Sequence, residues 1–118
     1  MKLLFIDDEY NVTLGLQRII DWKHYGFAVL GTATNGPEGL HKILTKNPDI
    51  VLIDIRMPGM SGLEVIQHTR EQHFEGEFIL LTAYQDFEYA RVGIKYGVVD
   101  YLLKPVDEEE LLRAVLNA

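Results

Sequence analysis

Apolar residues fall along the chain in two patterns. The first is a set of short continuous runs: Leu3 to Ile6, Ile50 to Ile53, Phe78 to Leu81, and Val98 to Leu103 with Asp100 interrupting it. Each has the length of a strand and is bounded by polar or turn residues. Unbroken rather than alternating apolarity points to strands covered on both faces, and hence to a parallel sheet. A fifth run, Phe27 to Thr34, is mixed and interrupted by Gly31, as suits an edge strand.

The second pattern has helical spacing. It comprises Val12, Leu16, Ile19 and Ile20; Leu40, Ile43 and Leu44; Leu63, Val65 and Ile66; Phe87, Ala90 and Ile94; and Leu111, Leu112 and Val115. Start and stop signals frame several of these segments. Ser61-Gly-Leu-Glu64 and Asp107-Glu-Glu-Glu110 read as capping boxes, and Asn35-Gly-Pro-Glu38 as an Asn cap with Pro in the first turn. Asn47-Pro48 ends the helix before it. Strand and helix thus alternate five times, which implies a doubly wound α/β sheet with right-handed crossovers. No linker-like tract or internal repeat divides residues 1–118, so one domain is expected.

Composition narrows the chemistry. At 118 residues, 47% hydrophobic and 25% charged, the chain has the balance of a water-soluble globular domain. Eleven Lys and Arg against eighteen Asp and Glu leave a net charge of −7, which disfavours contact with nucleic acid or an anionic membrane. With no Cys, disulfides, thiolate zinc sites, iron–sulfur clusters and thiol catalysis are excluded. The first apolar run is too short for a signal peptide or a membrane span, and a cytoplasmic location is expected.

In a doubly wound sheet, ligands bind beyond the carboxyl ends of the strands. Asp7-Asp8 follows the first run, Asp54 closes the run from Ile50, Thr82-Ala83 follows the run from Phe78, and Lys104-Pro105 follows the last. Three carboxylates, a hydroxyl and an ammonium therefore converge from four strands on one edge. The carboxylates repel one another unless a cation relieves them. An all-oxygen ligand set favours Mg2+, Mn2+ or Ca2+, and Mg2+ is typically held by one or two carboxylates with waters and phosphate oxygens. A cation and Lys104 facing a carboxylate prepare a place for a transferring phosphoryl group.

Simpler readings compete at single positions. Asp7-Asp8 alone would be taken for a helix cap. Thr82 alone would be a β-branched strand end, and Tyr101 is equally readable as a static core aromatic. Glu108-Glu109-Glu110 reads as a solvated first helical turn. His24, His41, His68 and His73 include no i, i+4 pair suited to a metal, and Asn11-Val-Thr13 is discarded as a glycosylation site because no secretory signal accompanies it.

The motifs at the strand ends are similar, over the whole chain, to the receiver domain of two-component response regulators. Phe5-Ile6-Asp7-Asp8-Glu9 resembles the acidic pair of that family, and Asp54-Ile-Arg-Met-Pro-Gly-Met-Ser-Gly62 the phosphoacceptor loop. Leu81-Thr82-Ala83 and Tyr101-Leu-Leu-Lys104-Pro105 resemble its switch and lysine motifs. Asp86-Phe-Glu-Tyr-Ala90 and Asp21-Trp-Lys-His-Tyr-Gly26 further resemble the YesN-like subgroup, whose receivers usually precede an AraC-type helix-turn-helix output domain.

This resemblance implies a (βα)5 flavodoxin-like receiver fold with a five-stranded parallel sheet in the order 2-1-3-4-5. It implies a phosphoacceptor switch rather than an enzyme with a separate substrate, with Asp54 taking a phosphoryl group from a sensor histidine kinase. Mg2+, with Mn2+ as the alternative, would be held by Asp7, Asp8, Asp54 and the backbone carbonyl of Arg56. Thr82, Ala83 and Lys104 would contact the phosphoryl group. Thr82 and Tyr101 would relay its presence to the face made by the fourth helix, fifth strand and fifth helix, giving a phosphorylation-dependent homodimer. The Lys104–Pro105 peptide would be cis. DNA would be reached only through an output domain outside this chain, which is expected to be the N-terminal part of a longer regulator. Arg56 and Tyr84, two residues beyond Asp54 and Thr82, are expected to overhang the phosphoryl group and slow its hydrolysis.

Rival chemistries lack their residues. A haloacid-dehalogenase-type phosphatase needs a second Asp at position 56, which is Arg. A flavodoxin-like carrier needs a Ser/Thr-rich phosphate loop where Asp7-Asp8-Glu9 stands. A degenerate, phosphorylation-independent module would not need the acidic pair, Asp54, Thr82 and Lys104 all present. No P-loop, G-x-S-x-G or H-E-x-x-H motif occurs.

Overall fold

The computed structural model describes residues 1–83 and 91–118. In chain order these form β1 (Lys2–Ile6), α1 (Tyr10–Arg18), β2 (Ala28–Ala33), α2 (Gly36–Lys46), β3 (Ile50–Asp54), α3 (Gly62–Glu71), β4 (Glu77–Thr82), β5 (Asp100–Leu103) and a C-terminal helix (Glu108–Asn117). Short 3-10 turns lie at Trp22–Tyr25 and Ile94–Tyr96. The strands form one parallel sheet in the order β2-β1-β3-β4-β5, as the resemblance implies.

The unbroken apolar runs are explained by two cores, one on each face of the sheet. Leu3, Phe5, Ile50, Leu52, Ile79 and Leu81 point to one side, where Leu16 of α1 and Leu111, Ala114 and Val115 of the C-terminal helix cover them. Leu4, Ile6, Val51, Ile53, Phe78 and Leu80 point to the other, against Ile43 of α2 and Val65 and Ile66 of α3. Successive strand residues face opposite ways, so a strand covered on both sides must be apolar at every position. β2 pairs only with β1 and is mostly half-buried, and its register slips between Leu3 and Leu4, next to Gly31 at φ 142.

Local signals place the helix ends. Asn35 Oδ1 accepts from the Glu38 N–H at 2.8 Å, Ser61 Oγ from the Glu64 N–H at 3.2 Å, and Asp107 Oδ2 from the Glu110 N–H at 3.1 Å. Each satisfies one donor left free by the first helical turn. α2 ends at Asn47, which is left-handed at φ 48, and Pro48 follows.

Several periodicity readings shift; Ile19, for one, is exposed just past the end of α1. Val98 and Val99 precede β5, which begins at Asp100; their N–H groups bond Gly93 and Phe78. Leu44 is exposed, because the inward phase of α2 runs through Gly36, Gly39 and Ile43. Ile94 is 66% exposed. Gly93 occupies the inward position instead, so close to the sheet that a Cβ there would lie 2.8 Å from Leu80 Cδ1. Phe87, Ala90, Tyr84 and the Asp86–Ala90 motif lie outside the described residues.

A staple at the opposite edge from the strand carboxyl ends had no motif to announce it. Arg70, in the last turn of α3, donates to the carbonyls of Phe74, Gly76 and Tyr96 at 2.8–3.0 Å. Its guanidinium lies over the rings of Phe74 and Phe78, and burial holds its pKa below the ordinary arginine value despite the attraction of Glu77.

Candidate functional site

Strand register brings the site together. Ile6 of β1 pairs with Ile53 of β3, so the next residues, Asp7 and Asp54, lie on adjacent strands at the same level. Asp54 pairs with Leu81, and Thr82 with Leu103, which puts Lys104 one step beyond. The ladder continues past the strand ends. Asp7 N–H donates to Ala33 O, Ile55 N–H to Leu81 O and Lys104 N–H to Thr82 O, at 2.8–3.0 Å. The backbone bearing each functional group is therefore fixed by the sheet.

The charged groups meet at short range. Lys104 Nζ lies 2.6 Å from Asp7 Oδ2 and 3.4 Å from Asp54 Oδ2. Asp7 is wholly buried, Asp54 is 7% exposed and Asp8 faces solvent. Asp7 Oδ1 accepts the Glu9 N–H at 2.9 Å, while Asp54 Oδ1 meets the Arg56 N–H at 3.5 Å, a marginal contact. The N-cap of α1 is Glu9, with no side-chain cap bond, so Asp7 and Asp8 do not cap that helix. Thr82 is buried and its hydroxyl donates to the Ala83 carbonyl at 3.0 Å. Tyr101 is half-buried on β5, packed against the core beneath α2 and α3. The Arg56 side chain is exposed, and the Lys104–Pro105 peptide is cis.

Burial dominates the electrostatics. It pushes the Asp54 carboxyl up to about 7, helped by repulsion from Asp7 and opposed by Lys104. Burial also raises Asp7, against the pull of Lys104 and the Glu9 N–H. For Lys104 burial acts downward, but its contacts with Asp7 and Asp54 outweigh it and hold the ammonium above its ordinary value. The cluster thus has more negative charge than one lysine can balance.

This imbalance is what a divalent cation would correct. One ligand oxygen from each of Asp7, Asp8 and Asp54 can be chosen so that all lie within 4.8 Å of one another. Asp7 Oδ2 is buried, and the Lys104 ammonium lies against it. An all-oxygen, carboxylate-rich cluster whose charge one lysine does not balance fits a hard cation such as Mg2+.

The Asp54 shift sets a pH dependence in metal-free solution. The folded carboxyl holds its proton to about pH 7, whereas an unfolded one releases it near 3.8. Between those values the folded state binds more protons, so this group's contribution to stability is complete below pH 4 and is lost as pH rises through 7. Asp54→Asn removes the ionisation. In EDTA at pH 8 it is expected to unfold at higher urea than the native sequence, by about 2 kcal/mol or more, with the gap less than half as large at pH 5 and closing only below about pH 4. Equal urea midpoints at both pH values would contradict this.

The whole chain also matches known proteins. Residues 3–116 match the family model of the response regulator receiver domain. The chain belongs to that family. Among curated relatives, the receiver is 41% identical over 114 residues to the "Uncharacterized transcriptional regulatory protein YesN" of Bacillus subtilis, covering 97% of this chain and 31% of that protein. It is 41% identical over 110 residues to the "Transcriptional regulatory protein HptR" of Staphylococcus aureus, covering 93% of this chain and 43% of that one. This receiver therefore spans less than half the length of these relatives. The REC domain of AraT, a response regulator from Geobacillus stearothermophilus, superposes with a TM-score of 0.93 at 35% identity, over 98% of this chain and 90% of that one.

The receiver brings together Asp7, Asp8, Asp54 and Lys104, while Thr82 lies beside them on β4 with its hydroxyl turned to its own neighbour. One supporting residue escaped the sequence reading. Gly62, read as part of a capping box and as the end of the phosphoacceptor loop but not as a packing contact, lies against the backbone of Asp54 so closely that a Cβ would lie 2.1 Å from its carbonyl oxygen. A glycine directly after the capping Ser61 was the available signal.

Proposed function

We propose that this receiver is a phosphoryl switch in which Asp54 accepts a phosphoryl group from the phosphohistidine of a sensor kinase. The supporting observation is the juxtaposition of three carboxylates with Lys104, whose ammonium is 3.4 Å from Asp54 Oδ2. An Asp54 carboxylate oxygen attacks phosphorus, the P–N bond breaks as the O–P bond forms, and the imidazole leaves with the electron pair and is protonated by solvent. The product is an acyl phosphate, which water later cleaves to carboxylate and inorganic phosphate. Asp7, Asp8, Asp54 and the Arg56 carbonyl hold Mg2+, or Mn2+ in its place. When bound, that cation neutralises charge on the phosphoryl oxygens and lets Asp54 stay ionised against its raised pKa. Lys104 exchanges its contact with Asp54 for a phosphoryl oxygen, and the Ala83 N–H supplies another contact.

Phosphorylation adds about one negative charge and three acceptor oxygens at Asp54. The Thr82 hydroxyl, which donates to the adjacent Ala83 carbonyl, turns to one of them. Tyr101 moves further in, and the face built on β5 and the C-terminal helix changes shape. That change drives self-association and, in the full-length regulator, control of transcription. The names of the YesN and HptR relatives support the last step. DNA contact falls to another part of that regulator, since this domain carries −7.

The test is incubation with Mg2+ and acetyl phosphate, followed by mass spectrometry. A phosphoryl adduct abolished by EDTA is expected, and an unchanged mass would refute the reading. For the relay, Thr82→Ala is expected to gain the adduct yet lose phosphate-dependent dimerisation in sedimentation. Equal dimerisation of both proteins would remove Thr82 from the relay.

A further inference from the structure

The loop after β3 holds Arg56, whose carbonyl is assigned above to the cation, and it closes on itself tightly. Gly62 N–H returns to Ile55 O at 3.0 Å, and Met60 N–H to Pro58 O at 3.0 Å across Gly59 at φ 82. What this loop leans on is the first turn of α2. A Cβ built on Gly36 would lie 2.5 Å from Met60 Cβ, 2.7 Å from Met60 O and 2.9 Å from Met60 Cγ. Two of those atoms are backbone or the side-chain root, which cannot rotate away. Gly36 is buried and has an ordinary negative φ, so its backbone shape does not require glycine; the nearness of Met60 does.

We propose that Gly36 is a positioning residue for the cation site. It touches no ligand. By lacking a side chain it lets α2 seat the 57–61 loop at the depth where the Arg56 carbonyl joins Asp7, Asp8 and Asp54. α2 is itself held independently of the loop. Its Asn35 cap bonds the Glu38 N–H, and Glu38 reaches back to the Thr34 N–H at 2.7 Å. Its buried Gly39 faces Ile6, the residue before Asp7, with Ile6 Cδ1 2.7 Å from where a Cβ would be. One rigid helix end therefore abuts both acidic segments, the end of β1 and the loop after Asp54. A methyl at position 36 has to push the loop outward, because the helix is fixed to the sheet on its other side.

This inference rests on the cation-binding reading, and the experiment separates the two. Mg2+ binding to the whole domain is measured by calorimetry and by the Mg2+-induced rise in melting temperature. Gly36→Ala is expected to bind Mg2+ about tenfold more weakly, the size usual for residues that orient metal ligands from behind. Gly76→Ala is the control for simple destabilisation. Its Cβ would meet Phe74 Cζ at 2.2 Å and Pro48 O at 2.8 Å beside the start of β4, far from the carboxyl ends. It should melt earlier yet keep native Mg2+ affinity. Met60→Val presses the same contact from the loop side by branching the side chain at Cβ, and it carries the test if Gly36→Ala does not fold. Native affinity in a folded Gly36→Ala or, failing that, in Met60→Val overturns the role of Gly36. Absence of Mg2+ binding by the unmutated domain overturns the cation reading and this inference with it.

Discussion

Asp54→Asn is expected to gain no phosphoryl group from acetyl phosphate, a fall of roughly a thousandfold or more in the rate of adduct formation. The amide has the shape of the carboxylate without its anionic oxygen, so the fold survives and the nucleophile is lost. The surroundings make the loss specific to this residue. Asp7 is wholly buried and already engaged, with one oxygen on the Glu9 N–H and the other on Lys104. Asp8 is exposed and lies at the rim. Asp54 alone combines near-complete burial, contact with Lys104 through one oxygen and a weak 3.5 Å contact through the other. Intact-mass measurement over time gives the rate, and peptide mapping locates any residual adduct. Native-rate labelling of Asp54→Asn would move the acceptor to another residue.

Gly62→Ala is expected to be the most destabilising small substitution near the site, at about 3 kcal/mol or more. The new Cβ would lie 2.1 Å from Asp54 O, 3.0 Å from Asp54 C and 3.1 Å from Ile55 Cα. All three are backbone atoms, and those of Asp54 belong to a central strand paired on both sides. Neither side can yield without breaking the ladder or the Gly62–Ile55 hydrogen bond that opens α3. A domain with a typical stability of about 5–15 kcal/mol would lose a large share of it. Gly15→Ala is the contrast: nothing lies within 4 Å of its Cβ, it sits inside α1, and it should gain up to about 1 kcal/mol. Urea midpoints measured side by side check both, and a Gly62→Ala midpoint near the native one would show that the loop after β3 yields readily.

Much of this fold can be read from side-chain type and order. β1, β3 and β4 announce themselves because burial on both faces leaves no room for a polar residue between their ends. The end of α2 is written in Asn47-Pro48, and three helix starts in Asn35, Ser61 and Asp107, because these act within one turn of the chain. The stripe through Ile94 misleads for a long-range reason. Whether a helical face turns inward depends on what lies opposite, and there Leu80 and Val98 accept only Gly93. Arg70 likewise carries no local sign of its three carbonyl partners, since Tyr96 is 26 residues away and reaches it only through the packing of separate elements.

The site divides the same way. By itself the sequence determined which groups are present and that they end parallel strands, since strand ends follow from the boundary between apolar and polar residues. It therefore determined a cluster rich in oxygen ligands with one lysine. Tertiary structure alone decided the distances: Lys104 is nearer Asp7 than Asp54, the Thr82 hydroxyl faces its own backbone, and Asp54 is shielded enough to hold a proton near neutrality. It alone decided that Gly36 and Gly62 bracket the loop after Asp54. Pattern records the environment a residue needs, whereas distance and desolvation depend on register and close packing between segments remote in the chain.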